Sequence, residues 1–165
     1  IKTVKENLRK LNPKAPIIEA ESVISVDRPE LIEGKRVLVV EDGPTVTHGG
    51  LGYAAGYVAA RQFGAAEIVD PRPHAVGSLK AVYEEYPQLR EVLPSMGYGR
   101  EQMRELEASI NAVDCDAVVL GTPSHLERFL KLNKPVVHVS FELRETTKPD
   151  LEEIVSRFLS ERGLI

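Results

Sequence analysis

The stretch from Lys35 to Asp70, KRVLVVEDGPTVTHGGLGYAAGYVAARQFGAAEIVD, carries the pattern that decides the fold. Its aliphatic run, Arg36 to Val40, is typical of a central parallel strand that is covered on both faces. A polar glycine loop from Gly43 to Gly50 follows, then a helix of small residues that ends at Gly64, and a second strand. This order predicts an anion-binding cradle, because free backbone N–H groups and the helix dipole converge at such a loop.

The same alternation of strand and helix continues to the end of the chain. It predicts an α/β fold, a doubly wound, Rossmann-like parallel sheet of about five strands with helices on both faces. Pro94 weakens the third strand and suits an edge position. Ligands bind such sheets at the carboxyl ends of the strands. The predicted strands are residues 36–40, 67–69, 92–96, 117–120 and 136–141.

The first residues have a different character. A short polar helix and a strand within residues 1–34 cannot bury two faces by themselves, which predicts the tail of an upstream nucleotide-binding domain or a linker. Residues 35–165 are then the Rossmann-like phosphate-ligand domain. The absence of an initiator Met at Ile1 favours a fragment of a longer protein. An edge strand added to the main domain is the alternative for the first segment.

Composition limits the possible partners. The net charge of −4 provides no basic field for nucleic acid, and no window has the length of apolar sequence that a membrane span needs. A single cysteine, Cys115, excludes a disulfide framework, favours a cytoplasmic location and is expected to be a small buried residue. Composition leaves a homo-oligomer open.

Two adjacent carboxylates end the central strand. On a strand, Glu41 and Asp42 point to opposite faces, so only one of them can easily face a shared ligand. Both are candidate catalytic residues, and Asp42 is also the candidate Mg²⁺ ligand, because hard oxygen ligands beside a phosphate suit Mg²⁺. The alternative is that one carboxylate caps backbone N–H groups of the loop.

The loop after these carboxylates is rich in donors. Thr45 and Thr47 supply hydroxyl groups, Gly49 and Gly50 leave the backbone accessible, and His48 supplies a titratable imidazole. These residue types predict phosphate binding by the threonines and glycines, and proton transfer by His48. A surface loop whose glycines serve only turn geometry is the alternative.

Two further turns offer polar groups. Asp70-Pro-Arg-Pro-His74 holds Arg72 and His74 in a proline-stiffened loop, which suits recognition of phosphate or carboxylate. A clasp between Asp70 and Arg72 within the loop is the alternative. Thr122 begins another helix after a strand and is a candidate phosphate contact, although capping alone also explains a hydroxyl there.

Other motifs are weak or absent. The spacing of Gly50, Gly52 and Gly56 only partly matches a dinucleotide fingerprint, and Gly56 is expected to pack a helix on the sheet. The chain contains no Walker A pattern, no nucleophile-elbow serine and no spacing typical of a zinc site. His125 is expected on a helix surface and His138 as a satisfied core histidine.

Four ordered motifs carry a resemblance to a known family, and they lie at residues 40–53, 68–78, 92–98 and 121–123. On these motifs the sequence resembles the predicted GTPase family related to cyclic 2,3-diphosphoglycerate synthetase. Members of that family are longer and carry a P-loop upstream, so this chain resembles their carboxyl-terminal part.

The resemblance implies a ligase-type enzyme that needs Mg²⁺ and ATP or GTP and acts on a small phosphorylated metabolite. The nucleotide would be bound mainly by the upstream P-loop domain of the same protein, so the fragment alone is expected to be inactive. The site would include Glu41 to Gly50, Asp70 to His74, and Gly121 with Thr122. A dinucleotide-binding module and a non-catalytic regulatory module are the alternatives.

Overall fold

A computed structural model describes residues 1–48, 50–89 and 91–165. The helices are α1 (Lys2–Leu11), α2 (Gly43–Thr47), α3 (Ala55–Gln62), α4 (Ser78–Glu85), α5 (Arg100–Ala112) and α6 (Leu151–Glu161). The strands are β1 (Ala20–Val26), β2 (Arg36–Asp42), β3 (Glu67–Ile68), β4 (Leu93–Ser95), β5 (Ala117–Gly121) and β6 (Val136–Glu145). Short 3₁₀ helices lie at Pro29–Leu31, Arg72–His74 and Leu126–Arg128.

The strands form a six-stranded sheet in the order β1-β6-β5-β2-β3, with β4 also paired to β2. The pairs that β2 makes with β3, β4 and β5 are parallel, as is the pair of β5 with β6. The predicted α/β fold with a doubly wound parallel sheet is therefore confirmed. The sheet has one strand more than the sequence predicted, because β1 lies beside β6 at the edge.

Strands β3 and β4 share one edge of β2. The two residues of β3 pair with Arg36 and Val37 at the start of β2, and β4 pairs with Val40, Glu41 and Asp42 at its end. The chain after β3 therefore leaves the sheet well before β2 ends. The short β4, which contains a proline, lies at this edge as predicted.

Alternation along β2 divides the core between the two faces of the sheet. Leu38 and Val40 pack with residues of α4 and α5, whereas Val37 and Val39 pack with residues of α3. All four side chains are fully buried. The continuous aliphatic run predicted this arrangement, since a strand between two helical layers has no polar face.

The chain divides into two compact units, residues 24–141 and a smaller unit of residues 1–23 with 142–165. The boundary predicted after Gly34 does not coincide with this division. Ile32 lies before that predicted boundary, yet it is fully buried in the same core cluster as Val37. That residues 1–34 continue an upstream domain stays a prediction.

In the smaller unit, the backbone N–H of Glu19 donates to the Thr147 hydroxyl at 2.9 Å, and Lys5 pairs with the Glu19 carboxylate. Asp150 caps α6 by accepting from the Glu153 N–H at 2.8 Å. Helix α6 is amphipathic, and Phe158 on it is exposed. Among the residues that the structure describes, none of the helices has the length and apolar character needed to cross a membrane.

Candidate functional site

The carboxyl ends of three parallel strands lie side by side at the same end of the sheet. Glu41 of β2 is paired in register with Gly121 of β5, and Asp42 is paired with Ser95 of β4. The segments that follow these strands therefore leave the sheet at the same edge, which is where open α/β sheets bind ligands. We call this edge the strand-end rim.

Glu41 is fully buried below this rim and faces α3. Its Oε1 accepts hydrogen bonds from the backbone N–H groups of Ala54 at 3.1 Å and Tyr57 at 2.8 Å, and its Oε2 accepts from Gly56 at 3.3 Å. Burial raises the pKa of this carboxyl to about 7, although the three N–H groups act in the opposite direction. The first amides of α3, which the sequence predicted as an anion cradle, are thus taken by the protein's own carboxylate.

Two glycines make room for this carboxylate. A side chain at Gly56 would lie 3.0 Å from Val39 Cγ1 and 3.1 Å from Gly121 Cα, and one at Gly121 would clash with Glu41 Oε2. Gly56 therefore packs helix against sheet, as predicted. Close packing, and not pyrophosphate binding, explains why a glycine is needed here.

Asp42 points to the other face, as the alternation predicted, and it is half-buried. Residues Gly43–Thr47, which were predicted to be a loop, form the short helix α2. The Thr45 hydroxyl donates to Asp42 Oδ2 at 3.0 Å, and the Thr47 hydroxyl donates to the Gly43 carbonyl at 2.9 Å. Both predicted phosphate donors are therefore partly engaged within this helical turn.

The carboxylate oxygens of Asp42 are suitable ligands for a magnesium ion. Oδ2 accepts from Thr45, and Oδ1 has no partner among the described residues. One carboxylate together with phosphate oxygens and water is a usual ligand set for Mg²⁺. The metal and catalytic roles of Asp42 stay predictions.

His48 follows α2 and is exposed. Its Nδ1 lies 2.7 Å from the Pro44 carbonyl oxygen. Because a carbonyl oxygen only accepts, Nδ1 carries the hydrogen, and Nε2 is the ring atom left for a ligand. Gly49 lies outside the described residues, and Gly50 has a φ of 71°, which glycine adopts readily.

Arg72 and Asp70 form a clasp within their own turn. The Arg72 Nε lies 2.9 Å from Asp70 Oδ1, and its terminal nitrogen lies 2.6 Å from Oδ2. The Arg72 guanidinium lowers the pKa of Asp70, chiefly through these hydrogen bonds. Arg72 can bind a ligand from this position only if it leaves Asp70. His74 ends the same 3₁₀ turn and is half-buried.

The turns after β4 and β5 contact each other. The Tyr98 hydroxyl and the Ser124 hydroxyl lie 2.8 Å apart. Thr122 is almost completely buried, and its Oγ1 accepts from the Ser124 N–H at 3.3 Å. This capping contact is the alternative that the sequence left open for Thr122, and its role in phosphate binding stays a prediction.

The structure therefore brings only some of the predicted residues together. Asp42 is the last residue of β2 and Thr122 follows β5, and both strands end at the strand-end rim, while His48 lies at the far end of α2. The turn of Arg72 follows β3, which pairs with the start of β2. This turn therefore leaves the sheet near the start of β2, away from the strand-end rim. No contact among the described residues joins His48, Arg72 and Thr122.

Sequence reasoning missed one side-chain cluster, formed by His125, Glu127 and His138. Glu127 Oε1 lies 3.2 Å from His125 Nδ1 and 3.5 Å from His138 Nε2. The expectation of a core position for His138 was wrong, because its side chain is 25% exposed and faces Glu127. The sequence signal is a His-x-Glu pair after β5 with a histidine on β6, which pairs directly with β5.

Comparisons with known proteins give one informative match. No family model matches the chain, and no solved structure matches it significantly. The chain is 58% identical over 158 residues to a protein named arginine synthetase ArcE from Thermococcus kodakarensis strain KOD1. The alignment covers 96% of this chain and 35% of that relative, so the chain spans about a third of its length.

Proposed function

We propose that this chain is part of a nucleotide-dependent synthetase, and that the whole enzyme makes or consumes arginine. The observation that carries the proposal is the 58% identity to a protein named arginine synthetase over nearly the whole chain. Identity at this level over 158 residues favours a shared chemistry. This proposal replaces the small phosphorylated metabolite of the sequence interpretation by an amino acid.

The strand-end rim is the proposed ligand site. Asp42 would hold Mg²⁺ there, and the ion would neutralise charge on a phosphate group. Thr45, Thr47 and the Nε2 atom of His48 are the proposed contacts to that phosphate, for which the threonine hydroxyls must turn away from Asp42 and Gly43. Thr122 would border the site from β5. In this proposal, Glu41 fixes β2 against α3 and has no direct contact with substrate.

The nucleotide is proposed to bind mainly outside this chain. The sequence has no G-x-x-x-x-G-K-[ST] pattern, which is the usual phosphate cradle of ATP- and GTP-dependent enzymes. A P-loop domain elsewhere in the natural protein would bring ATP or GTP to the strand-end rim. The dinucleotide-binding alternative has less support, because Gly56 packs α3 against β5.

The experiment uses the full natural protein that contains this chain. It is supplied with arginine, phosphate, Mg²⁺ and ADP or GDP, and formation of the nucleoside triphosphate is measured. A synthetase in reverse breaks the bond that it forms in its product, and the two fragments take up the elements of water released as phosphate joins the nucleoside diphosphate. We expect arginine-dependent triphosphate formation that falls at least about tenfold in Asp42→Asn. Asp114→Asn is the matched control, because that carboxylate is 96% exposed and pairs only with Arg36 among the described residues.

Failure of arginine to support any nucleotide turnover would overturn the proposal. Turnover with 2,3-diphosphoglycerate and a triphosphate instead would return the assignment to a phosphorylated substrate. Fluorescence of bound NADH or NADPH with no nucleotide turnover would support the oxidoreductase alternative.

A further inference from the structure

We propose that His125, Glu127 and His138 form a binding site for a divalent transition metal of the Zn²⁺ class. One ligand atom from each of the three residues lies within 4.8 Å of the others. Two imidazole nitrogens and one carboxylate are a common protein ligand set for zinc. The site does not depend on the proposed synthetase function.

The two distances to Glu127 are close to those between ligands of a tetrahedral ion. Zinc lies about 2.0 to 2.2 Å from nitrogen and oxygen ligands, so neighbouring ligands are about 3.3 Å apart. The two measured distances to Glu127 Oε1 are 3.2 Å from His125 Nδ1 and 3.5 Å from His138 Nε2. The three ligand atoms lie within 4.8 Å of one another, so binding of one ion would draw them together by up to about 1.5 Å.

The second carboxylate oxygen of Glu127 also favours a bound cation. Glu127 Oε2 is buried and has no hydrogen-bond partner among the described residues. A buried carboxylate oxygen without a hydrogen-bond partner has lost its hydration with nothing in exchange. A cation held by this carboxylate, through one oxygen or both, would replace that lost hydration.

The scaffold fixes the backbone positions of Glu127 and His138 independently of any metal. Glu127 lies on the 3₁₀ helix Leu126–Arg128, whose first residue is fully buried in the core. His138 lies on β6 opposite Leu120 of β5, and the backbone N–H of His138 donates to Asp27 Oδ1 at 2.8 Å. Ligands held on elements that are fixed by packing have little freedom to lose when an ion binds.

The ligand set selects the class of metal. Nitrogen donors favour Zn²⁺, Co²⁺ or Ni²⁺ over Mg²⁺ and Ca²⁺, which prefer oxygen ligands. Three protein ligands leave a fourth position for water. The His125 side chain is 54% exposed, so that position is accessible from solvent.

The test is metal binding by the full chain after treatment with a chelator. Co²⁺ is titrated first, because tetrahedral Co²⁺ absorbs visible light, and Zn²⁺ is then added to displace it. We expect one ion per chain, intense tetrahedral absorption and complete displacement by Zn²⁺. Mg²⁺ at the same concentration should displace none of the Co²⁺.

Variants separate this site from adventitious binding. His125→Ala and Glu127→Gln should each weaken Zn²⁺ binding by at least about tenfold. His74→Ala, which removes a histidine outside the cluster, should leave the affinity unchanged. Because His125 is exposed, its replacement should not disturb folding, and circular dichroism checks this. Absence of Co²⁺ binding, or equal loss of affinity in His74→Ala, would overturn the assignment of a metal site to this cluster.

Discussion

Glu41 and Gly121 are register partners on adjacent parallel strands, and the Glu41 carboxylate fills the space that a side chain at position 121 would need. The same carboxylate accepts from the first amides of α3. One buried carboxyl group therefore joins β2, β5 and α3 just below the strand-end rim. Four predictions test this region and the turns around it, and a fifth tests the half-buried thiol of Cys115.

Gly121→Ala should destabilise the fold. The added methyl would meet Glu41 Oε2 and lie 2.7 Å from Gly56 Cα, and neither backbone nor buried carboxylate can move away easily. Overpacking of this kind costs about 1 to 3 kcal/mol in free energy of unfolding, measured by urea denaturation. Gly99→Ala is the control, because the nearest atom there is the end of the Gln102 side chain and φ is −64°. Equal stability of the two variants would contradict the packing argument.

Glu41→Gln should change how stability depends on pH. The unfolded chain releases the Glu41 proton near the ordinary value of 4.5, whereas the folded protein keeps it up to about 7. The protonated carboxyl therefore stabilises the fold at low pH, and this contribution is lost as pH rises from about 5 to 7. Its size is about 3 kcal/mol, since each pKa unit corresponds to about 1.36 kcal/mol.

The measurement compares the free energy of unfolding of the wild type and Glu41→Gln between pH 5 and pH 8. The wild type should lose stability relative to the variant across this range, while Glu142→Gln, at an exposed position, should run parallel to the wild type. A constant difference between wild type and Glu41→Gln would show that this carboxyl titrates normally.

Arg72→Ala should raise the pKa of Asp70. The guanidinium holds this pKa below its ordinary value through two-point hydrogen bonding, so its removal should let the pKa of Asp70 return towards that value. Titration of the Asp70 carboxyl carbon by NMR measures the shift. Arg144→Ala, which removes a guanidinium paired with Glu21, should leave the pKa of Asp70 unchanged. An unaltered pKa of Asp70 in Arg72→Ala would mean that the clasp does not persist in solution.

Tyr83→Phe should cost about 1 kcal/mol of stability. The Tyr83 hydroxyl donates to the carbonyl of Val92 at 2.8 Å, and Val92 is fully buried. The phenylalanine would leave that carbonyl without this donor. Tyr53→Phe is the matched control, because Tyr53 is 51% exposed, and its stability in urea should equal that of the wild type. A loss of the same size in both variants would rule out the specific hydrogen bond.

Cys115 should react slowly with thiol reagents. Burial raises the pKa of its thiol, and the thiolate is the reactive form. The chain has one cysteine, so the release of chromophore from Ellman's reagent reports this residue alone. We expect the rate at pH 8 to be at least about tenfold lower in the native protein than in urea. Similar rates in the two conditions would show that the thiol is accessible.

The sequence by itself determined the α/β class of the fold and most of its strands and helices, although it missed α2 and the place of β1 in the sheet. The aliphatic run of Arg36 to Val40 required a strand buried on both faces, and the period of two placed Glu41 and Asp42 on opposite sides. The small residues of α3 and the proline of β4 predicted close packing and an edge position. These features depend on neighbours in the sequence, so a local pattern reveals them.

Only the tertiary structure decided how the polar groups are used. It gave Glu41 the amides of α3, held Arg72 on Asp70, and paired the end of β2 with β4 rather than β3. It also joined Glu127 to His138, which lie on different elements. Such pairings depend on which strands become neighbours, and the free energy that selects them comes from burial of the whole core, so no local pattern encodes them.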